Sequence, residues 1–214
     1  MYYKTLRIAF LMIIILVLAQ FACTATPSYW GYTGLILTPT ADTLPQYGFN
    51  LGASFIDSDS YDSAFYSGNV GIAAGLEIGG TVFVPDGGDS KTIFNAKYRV
   101  MNENLALPAV AIGISDATDE LDATPYVVLS KSLAFGTESL ISPRLHIGVG
   151  GGGLDGLFGG ISTSFGPKTI LMAEYDTEDV NFGVQFAVNK EFRIHADSIT
   201  GDNFGLGISF NSGL

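Results

Sequence analysis

The chain reads as an all-β protein: a closed, antiparallel, up-and-down transmembrane β-barrel of about 12 strands with a short N-terminal insert. Three observations predict it. From Gly48 onward the apolar residues recur with a period of two, the face opposite them is built of small rather than charged residues, and acidic residues collect in alternate connections. The composition agrees: 47% of the 214 residues are hydrophobic and 14% charged, with 27 glycines and a formal net charge of −11, whereas about a quarter of an ordinary soluble domain is charged. With 10 Lys+Arg against 21 Asp+Glu and no basic run, nothing is present to neutralise phosphates, which argues against a nucleic-acid partner. Low charge with 12% aromatics excludes disorder. Beyond residue 25 no apolar stretch approaches the roughly 18 residues that a spanning helix needs.

Residues 1–25 read as a secretory signal. Lys4 and Arg7 give a positive start, Ile8 to Ala19 an apolar run, and Cys23-Thr24-Ala25 a small-residue exit, so the mature chain begins near Thr26. An uncleaved anchor helix is disfavoured because the 12 apolar residues before Gln20 are too few to cross a bilayer. Acylation of Cys23 is a third possibility, but Gln20 and Phe21 suit it poorly. Cys23 is the only cysteine, so cleavage leaves neither disulfides nor thiolate metal sites. Cleavage also removes two cations and no acid, which makes the exported part the more acidic.

The barrel itself occupies residues 48–214, with strands expected at 48–57, 65–75, 76–84, 90–100, 106–115, 123–131, 140–150, 156–165, 169–176, 180–188, 191–198 and 203–210. The tenth is written most plainly: Val180, Phe182, Val184, Phe186 and Val188 on one face, Asn181, Gly183, Gln185 and Ala187 on the other. Phe204, Leu206, Ile208 and Phe210 alternate with Gly205, Gly207 and Ser209, and Phe94, Ala96, Tyr98 and Val100 with Asn95, Lys97 and Arg99. Such strands are half-buried in an antiparallel sheet. A soluble sandwich would carry many Lys and Glu on its outer faces. A narrow barrel in lipid needs an apolar outside and an interior of small residues, which is the composition seen.

Connections test the count. The odd-numbered ones hold Asp57, Asp59, Asp62, Asp86, Asp89, Asp116, Asp119, Glu120, Asp122, Asp155, Asp176, Glu178, Asp179 and Asp202, fourteen of the 21 acids. The even-numbered ones hold few acids and most of the loop lysines. Turns do collect Asp, but that alone would place acid in both sets. An even strand number follows, with both termini on the less acidic side. For an exported barrel this means the outer membrane of a Gram-negative-type envelope, periplasmic termini and acidic loops facing outward.

Residues 26–47 form the N-terminal insert, with the only Trp, Trp30, and prolines 39 and 45, which make a central strand unfavourable. The expectation is an extended lead-in packed at the periplasmic mouth, with folding into the lumen the alternative. Gly34-Leu35, Thr38-Pro39-Thr40-Ala41 and then Gly48 ahead of a first strand resemble the start of the YjbH-like family of Gram-negative outer-membrane proteins. The resemblance spans Gly34 to Gly52 and is architectural thereafter; family members are generally much longer. It implies an outer-membrane barrel and an accessory part in exopolysaccharide or capsule secretion.

The inward-facing residues carry the candidate chemistry: Lys97, Arg99, Arg144, His146, Glu174, Asp176, Arg193, His195 and Asp197, with Glu77 and Asn95 beside them. Three readings are open. Mixed charges in a narrow lumen pair and brace the barrel, leaving a structural or adhesive protein with a blocked interior. Alternatively the cations face carboxylates across a constriction that selects hydrophilic or anionic solutes, with Phe83 and Phe158 as platforms for a sugar chain. The third is a hydrolase in which His195 and Asp197, with Glu174 and Asp176, activate water; no Ser-His arrangement is visible along the chain. The expected function is a narrow pore or secretion accessory rather than an enzyme, without cofactor or metal. Gly150 to Asp155 is a single copy of a calcium-binding repeat that works only in stacks, and Asp57 to Asp62 lacks the spacing of an EF-hand. Expected partners are outer-membrane lipid, the barrel-insertion machinery, for which Phe210 is the signal, and polysaccharide or small hydrophilic solutes.

Overall fold

The computed structural model describes residues 26–58, 62–133 and 141–212. The expected signal segment with Cys23, Asp59 in the first connection, and residues 134–140 lie outside the described residues. The strands are β1 (Phe49–Asp57), β2 (Ser63–Ala73), β3 (Leu76–Pro85), β4 (Lys91–Met101), β5 (Ala109–Ser115), β6 (Thr124–Ser132), β7 (Ile141–Gly150), β8 (Gly156–Phe165), β9 (Thr169–Tyr175), β10 (Val180–Ala187), β11 (Phe192–Ile199) and β12 (Asn203–Ser212). Each pairs antiparallel with its sequence neighbours, and β1 closes on β12 from Phe49 opposite Ser212 to Asp57 opposite Phe204. The twelve-stranded barrel is as the alternation predicts. Among the described residues no helix is long and apolar enough to cross a membrane.

The largest boundary difference is at β5, which begins at Ala109 rather than at 106. Asn104 Oδ1 accepts the N–H groups of Ala106 and Leu107, both at 2.9 Å, and this side-chain turn keeps them out of the ladder. In the glycine run a 3-10 turn at Gly152–Leu154 places Leu154 in the interior.

Every strand presents large apolar side chains outward, among them Phe55, Tyr66, Val82, Phe94, Ile112, Leu129, Ile147, Leu157, Leu171, Phe182, Ile194 and Leu206. A continuous exposed apolar belt of this kind is far larger than a water-facing surface tolerates and suits hydrocarbon. Phe210 packs among Phe49 and Phe192 near the barrel seam, with ring centroids 5.8 and 5.1 Å away.

The interior is where expectation and structure part. Residues 26–47 do not rest at the mouth; they fold into the lumen, where Tyr29, Tyr32, Leu35, Ile36, Ala41 and Leu44 are buried. They also supply much of the core. One cluster joins Tyr29, Leu35 and Ile36 to Phe65, Ile170, Met172 and Ile199, and a second joins Ala41 to Tyr126, Val128, Leu154 and Phe158. The physical reason is volume. The inward face of the wall is too small to fill a twelve-strand barrel: a Cβ on Gly160 would lie 2.6 Å from Leu35 Cδ1, and one on Gly205 only 2.1 Å from Tyr29 Oη. Space left by wall glycines is taken by the inserted segment.

Candidate functional site: a plugged lumen

The inserted segment is a compact plug rather than an extended strand. Its own backbone bonds include Ser28 N–H to Tyr32 O at 2.9 Å, Tyr29 N–H to Ile36 O at 3.0 Å and Gly34 N–H to Thr26 O at 3.0 Å. Gly31 turns the chain at φ +88°, where any side chain would also strike Thr81. The plug meets the less acidic rim at Tyr47, whose N–H donates to Gly71 O at 2.7 Å. At the acidic rim Trp30, Tyr32 and Leu37 floor a cavity of about 200 Å³ walled by Asp116, Asp122, Asp176 and Glu178.

Two buried carboxylates hold it. Glu174 on β9 accepts the N–H of Leu37 at 2.7 Å through Oε1, and through Oε2 the N–H groups of Ile36 and Thr38, both at 3.1 Å, and the Thr38 hydroxyl at 2.7 Å. Glu77 on β3 accepts from Thr33 N–H at 2.8 Å, the Thr33 hydroxyl at 2.5 Å and Leu44 N–H at 2.9 Å. A non-regular segment has backbone groups that no ladder satisfies, and burial without partners costs about 1–3 kcal/mol for each. The inward carboxylates supply those partners. Lys97, fully buried, completes the pattern from the other sign: its Nζ donates to Thr33 O at 2.6 Å and lies 3.6 Å from Glu77.

The remaining predicted residues divide in the same way. Asn95 donates to Trp30 O at 2.6 Å. Arg144 pairs with Asp42 of the plug at 2.9 Å and with Glu103 of the β4–β5 connection at 2.7 Å. Burial pushes the Glu103 carboxyl up, but the Ser132 N–H and the Arg144 guanidinium outweigh it and hold the group below the usual carboxylate range. His146 lies between Ser130 Oγ at 2.8 Å and Ser162 Oγ at 3.1 Å, and Ser130 Oγ also accepts the plug's Ala41 N–H at 2.9 Å. Tyr29 donates to Asp197 Oδ2 at 2.9 Å, and the same oxygen is 2.5 Å from His195 Nδ1. Arg99 and Arg193 lie in β4 and β11, Arg193 in a rim pocket with Lys168 and Lys190. Pro39 and Pro45 sit within the plug, Pro39 bridged to Gly34.

Three expectations change. Cations and carboxylates do not face each other across an open constriction; the plug fills it, and Glu77, Lys97, Arg144 and Glu174 all bond to the plug. Phe83 and Phe158 are not free platforms, since Phe83 packs against Trp30 at 5.9 Å and Phe158 belongs to the second core cluster. Glu174 and Asp176 do not join His195: Glu174 is occupied by the plug, and Asp176, just past the end of β9, accepts Asn181 Nδ2 at 2.9 Å and caps its own turn. Sequence reasoning missed Asp42, Glu103, Ser54, Ser130 and Ser162. One signal for the plug was present: residues 26–41 carry no charge at all, which an exposed lead-in would not need.

Asp116 organises the acidic rim. Burial pushes its carboxyl up, but N–H groups of Leu121, Glu120 and Asp122 and the Thr118 hydroxyl converge on it and hold it below the usual range. Among the described residues no group of His, Cys, Asp and Glu is arranged to hold a metal ion.

No protein-family model matches this chain, and no curated protein matches it in sequence. Solved structures do match in fold. The KdgM porin aligns with a TM-score of 0.55 at 14% identity, over 75% of this chain and 98% of that one. The KdgM porin in complex with disordered oligogalacturonate aligns with a TM-score of 0.51 at 12% identity, over 76% and 98%. The barrel is thus of the porin type in architecture.

Proposed function

We propose that this chain is a plug-gated barrel of the bacterial outer membrane, closed by residues 26–47 and passing small hydrophilic solutes when that segment withdraws. The observation that carries the reading is how the lumen is filled. A purely structural barrel of this width could be filled by wall side chains alone, yet here glycines such as Gly160, Gly183 and Gly205 leave room along the wall and a separate segment occupies it. Much of the attachment is polar, and water can replace those hydrogen bonds on withdrawal. The lipid-facing belt and the porin-type fold support the outer-membrane location, and the split between an acidic and a less acidic rim supports periplasmic termini.

The structural neighbour was solved with oligogalacturonate. In this chain Asp116, Asp122, Asp176 and Glu178 surround the outer vestibule, a negative field that repels acidic oligomers, so the solutes proposed are neutral or cationic. A second reading follows from the YjbH-like resemblance, since Gly34 to Gly52 covers much of the plug and the start of β1: an accessory barrel for exopolysaccharide or capsule export, in which the polymer displaces the plug.

Planar-bilayer conductance tests the gate. The mature chain lacks cysteine if the signal is cleaved, so a plug lock is clean to build: Ala41→Cys with Ser130→Cys joins positions whose N and Oγ are 2.9 Å apart. Steps are expected when the pair is reduced and silence when it is oxidised, with larger steps after deletion of 26–47. Silence in all three states makes the molecule a blocked structural or adhesive barrel.

A further inference from the structure

The chain contains two histidines. Both face the lumen, and they are wired differently. His146 has a serine hydroxyl at each ring nitrogen, 2.8 and 3.1 Å away. His195 has a carboxylate at one and a serine at the other: Nδ1 is 2.5 Å from Asp197 Oδ2, and Nε2 is 3.0 Å from Ser54 Oγ. Ser54 belongs to β1 and His195 to β11, so the imidazole must cross β12 to reach it. It does so over Gly207, where a Cβ would stand 2.1 Å from Nε2 and 2.4 Å from Ser54 Oγ. Any larger residue at 207 would break the contact.

We propose that Ser54, His195 and Asp197 form a nucleophilic triad acting on small carboxylic esters, with the plug as its cap. Asp197 holds the proton on Nδ1, which turns the Nε2 lone pair toward the Ser54 hydroxyl; this is the polarity that a general base requires. Asp197 is not a saturated brace. Its Oδ1 is buried with no hydrogen-bond partner, above Gly183 and Ile36, whereas the plug-holding Glu174 bonds through both oxygens. A buried carboxylate oxygen left unpaired is costly. Tyr29 covers the group, edge-on to the imidazole at 5.3 Å between centroids and donating to Asp197 at 2.9 Å. The His195 side chain keeps 15% exposure, so the triad is capped but not sealed.

In the reaction the Ser54 oxygen bonds to the ester carbonyl carbon while its proton passes to Nε2. The carbon–alkoxy bond then breaks, the alcohol leaves with that proton, and the acyl group stays on Ser54. Water, deprotonated by the same nitrogen, releases the carboxylic acid and restores the hydroxyl. Tyr29 fills the space beside Gly205 and Ile36 that beside Gly183, so an ester reaches the triad only when the plug shifts, and the tight fit sets the class to short acyl groups. The inference goes beyond the gate reading and stands whether or not the lumen conducts.

The test is labelling of the detergent-solubilised chain with a fluorophosphonate, in which the Ser54 oxygen displaces fluoride, followed by peptide mass spectrometry and p-nitrophenyl acetate hydrolysis. The adduct is expected on Ser54 and not on Ser130 or Ser162, which contact a histidine that has no carboxylate. Ser54→Ala abolishes it, and His195→Gln and Asp197→Asn slow it at least tenfold with strand content unchanged. Tyr29→Phe, which frees Asp197, speeds labelling. Absence of a Ser54 adduct in both the parent chain and Tyr29→Phe, or equal labelling of Ser130, overturns the proposal and leaves the cluster as a brace for the plug.

Discussion

Glu174→Gln isolates the attachment of the plug from the stability of the barrel. The carboxylate receives Leu37 N–H at 2.7 Å on one oxygen, and Ile36 N–H, Thr38 N–H and the Thr38 hydroxyl on the other. A carboxamide keeps one acceptor oxygen and turns the other site into a donor. With the retained oxygen toward Ile36 and Thr38, the new N–H₂ points at Leu37 N–H and at Asn181 Nδ2; Asn181 keeps Asp176 as acceptor, but Leu37 N–H and the carboxamide are left buried without one. At about 1–3 kcal/mol for each unsatisfied group, docking weakens by about 2–6 kcal/mol. That is a shift of roughly 30-fold to 10⁴-fold in the docked-to-released ratio, at about 1.4 kcal/mol per factor of ten. Trp30 is the only tryptophan and lies in the plug, between Phe65 and Phe83. Its emission and acrylamide quenching therefore report docking directly. In a urea titration the midpoint for Trp30 exposure should fall in Glu174→Gln while strand circular dichroism persists. An unchanged midpoint would falsify the assignment of Glu174 as a plug anchor.

Gly205→Ala probes the same docking by crowding. The new methyl would lie 2.1 Å from Tyr29 Oη, so the Tyr29–Asp197 bond must open, and Trp30 should become easier to quench; parent-like quenching would mean that the wall yields instead. Acid should loosen the lower anchor. The Glu103 carboxyl is held below its ordinary value, so its contribution is complete above the unfolded value and is lost as pH falls through the lower folded one. The midpoint for Trp30 exposure should accordingly drop more steeply on acidification in the parent chain than in Glu103→Gln, and equal slopes would remove Glu103 from the account.

How much of this was legible depends on the range over which each feature is determined. Alternation is local: Val180, Phe182, Val184 and Phe186 announce a strand with one oily face without reference to any partner, and the paucity of charge opposite them says that the face looks into lipid. The acids of the odd connections add parity, and parity fixes an even number of strands with both ends on one rim. These are properties of residues two to ten apart, and the chain writes them openly.

What fills the barrel is not local. Whether residues 26–47 rest at the mouth or enter the lumen depends on the summed volume of inward side chains around the whole circumference, in which Gly160, Gly183, Gly205 and Gly207 count as space. The absence of charge from 26 to 41 hinted at burial but could not say where. Partners were hidden for the same reason. Glu174 meets Leu37 from 137 positions away, and Ser54 meets His195 from 141, because closure of β1 on β12 and insertion of the plug bring them together. The sequence by itself determined a lipid-coated, even-stranded barrel, since periodicity and composition act between near neighbours. The tertiary structure alone decided that the lumen is plugged and which polar groups hold the plug, because volume and hydrogen-bond satisfaction are settled only when the ring of strands is complete.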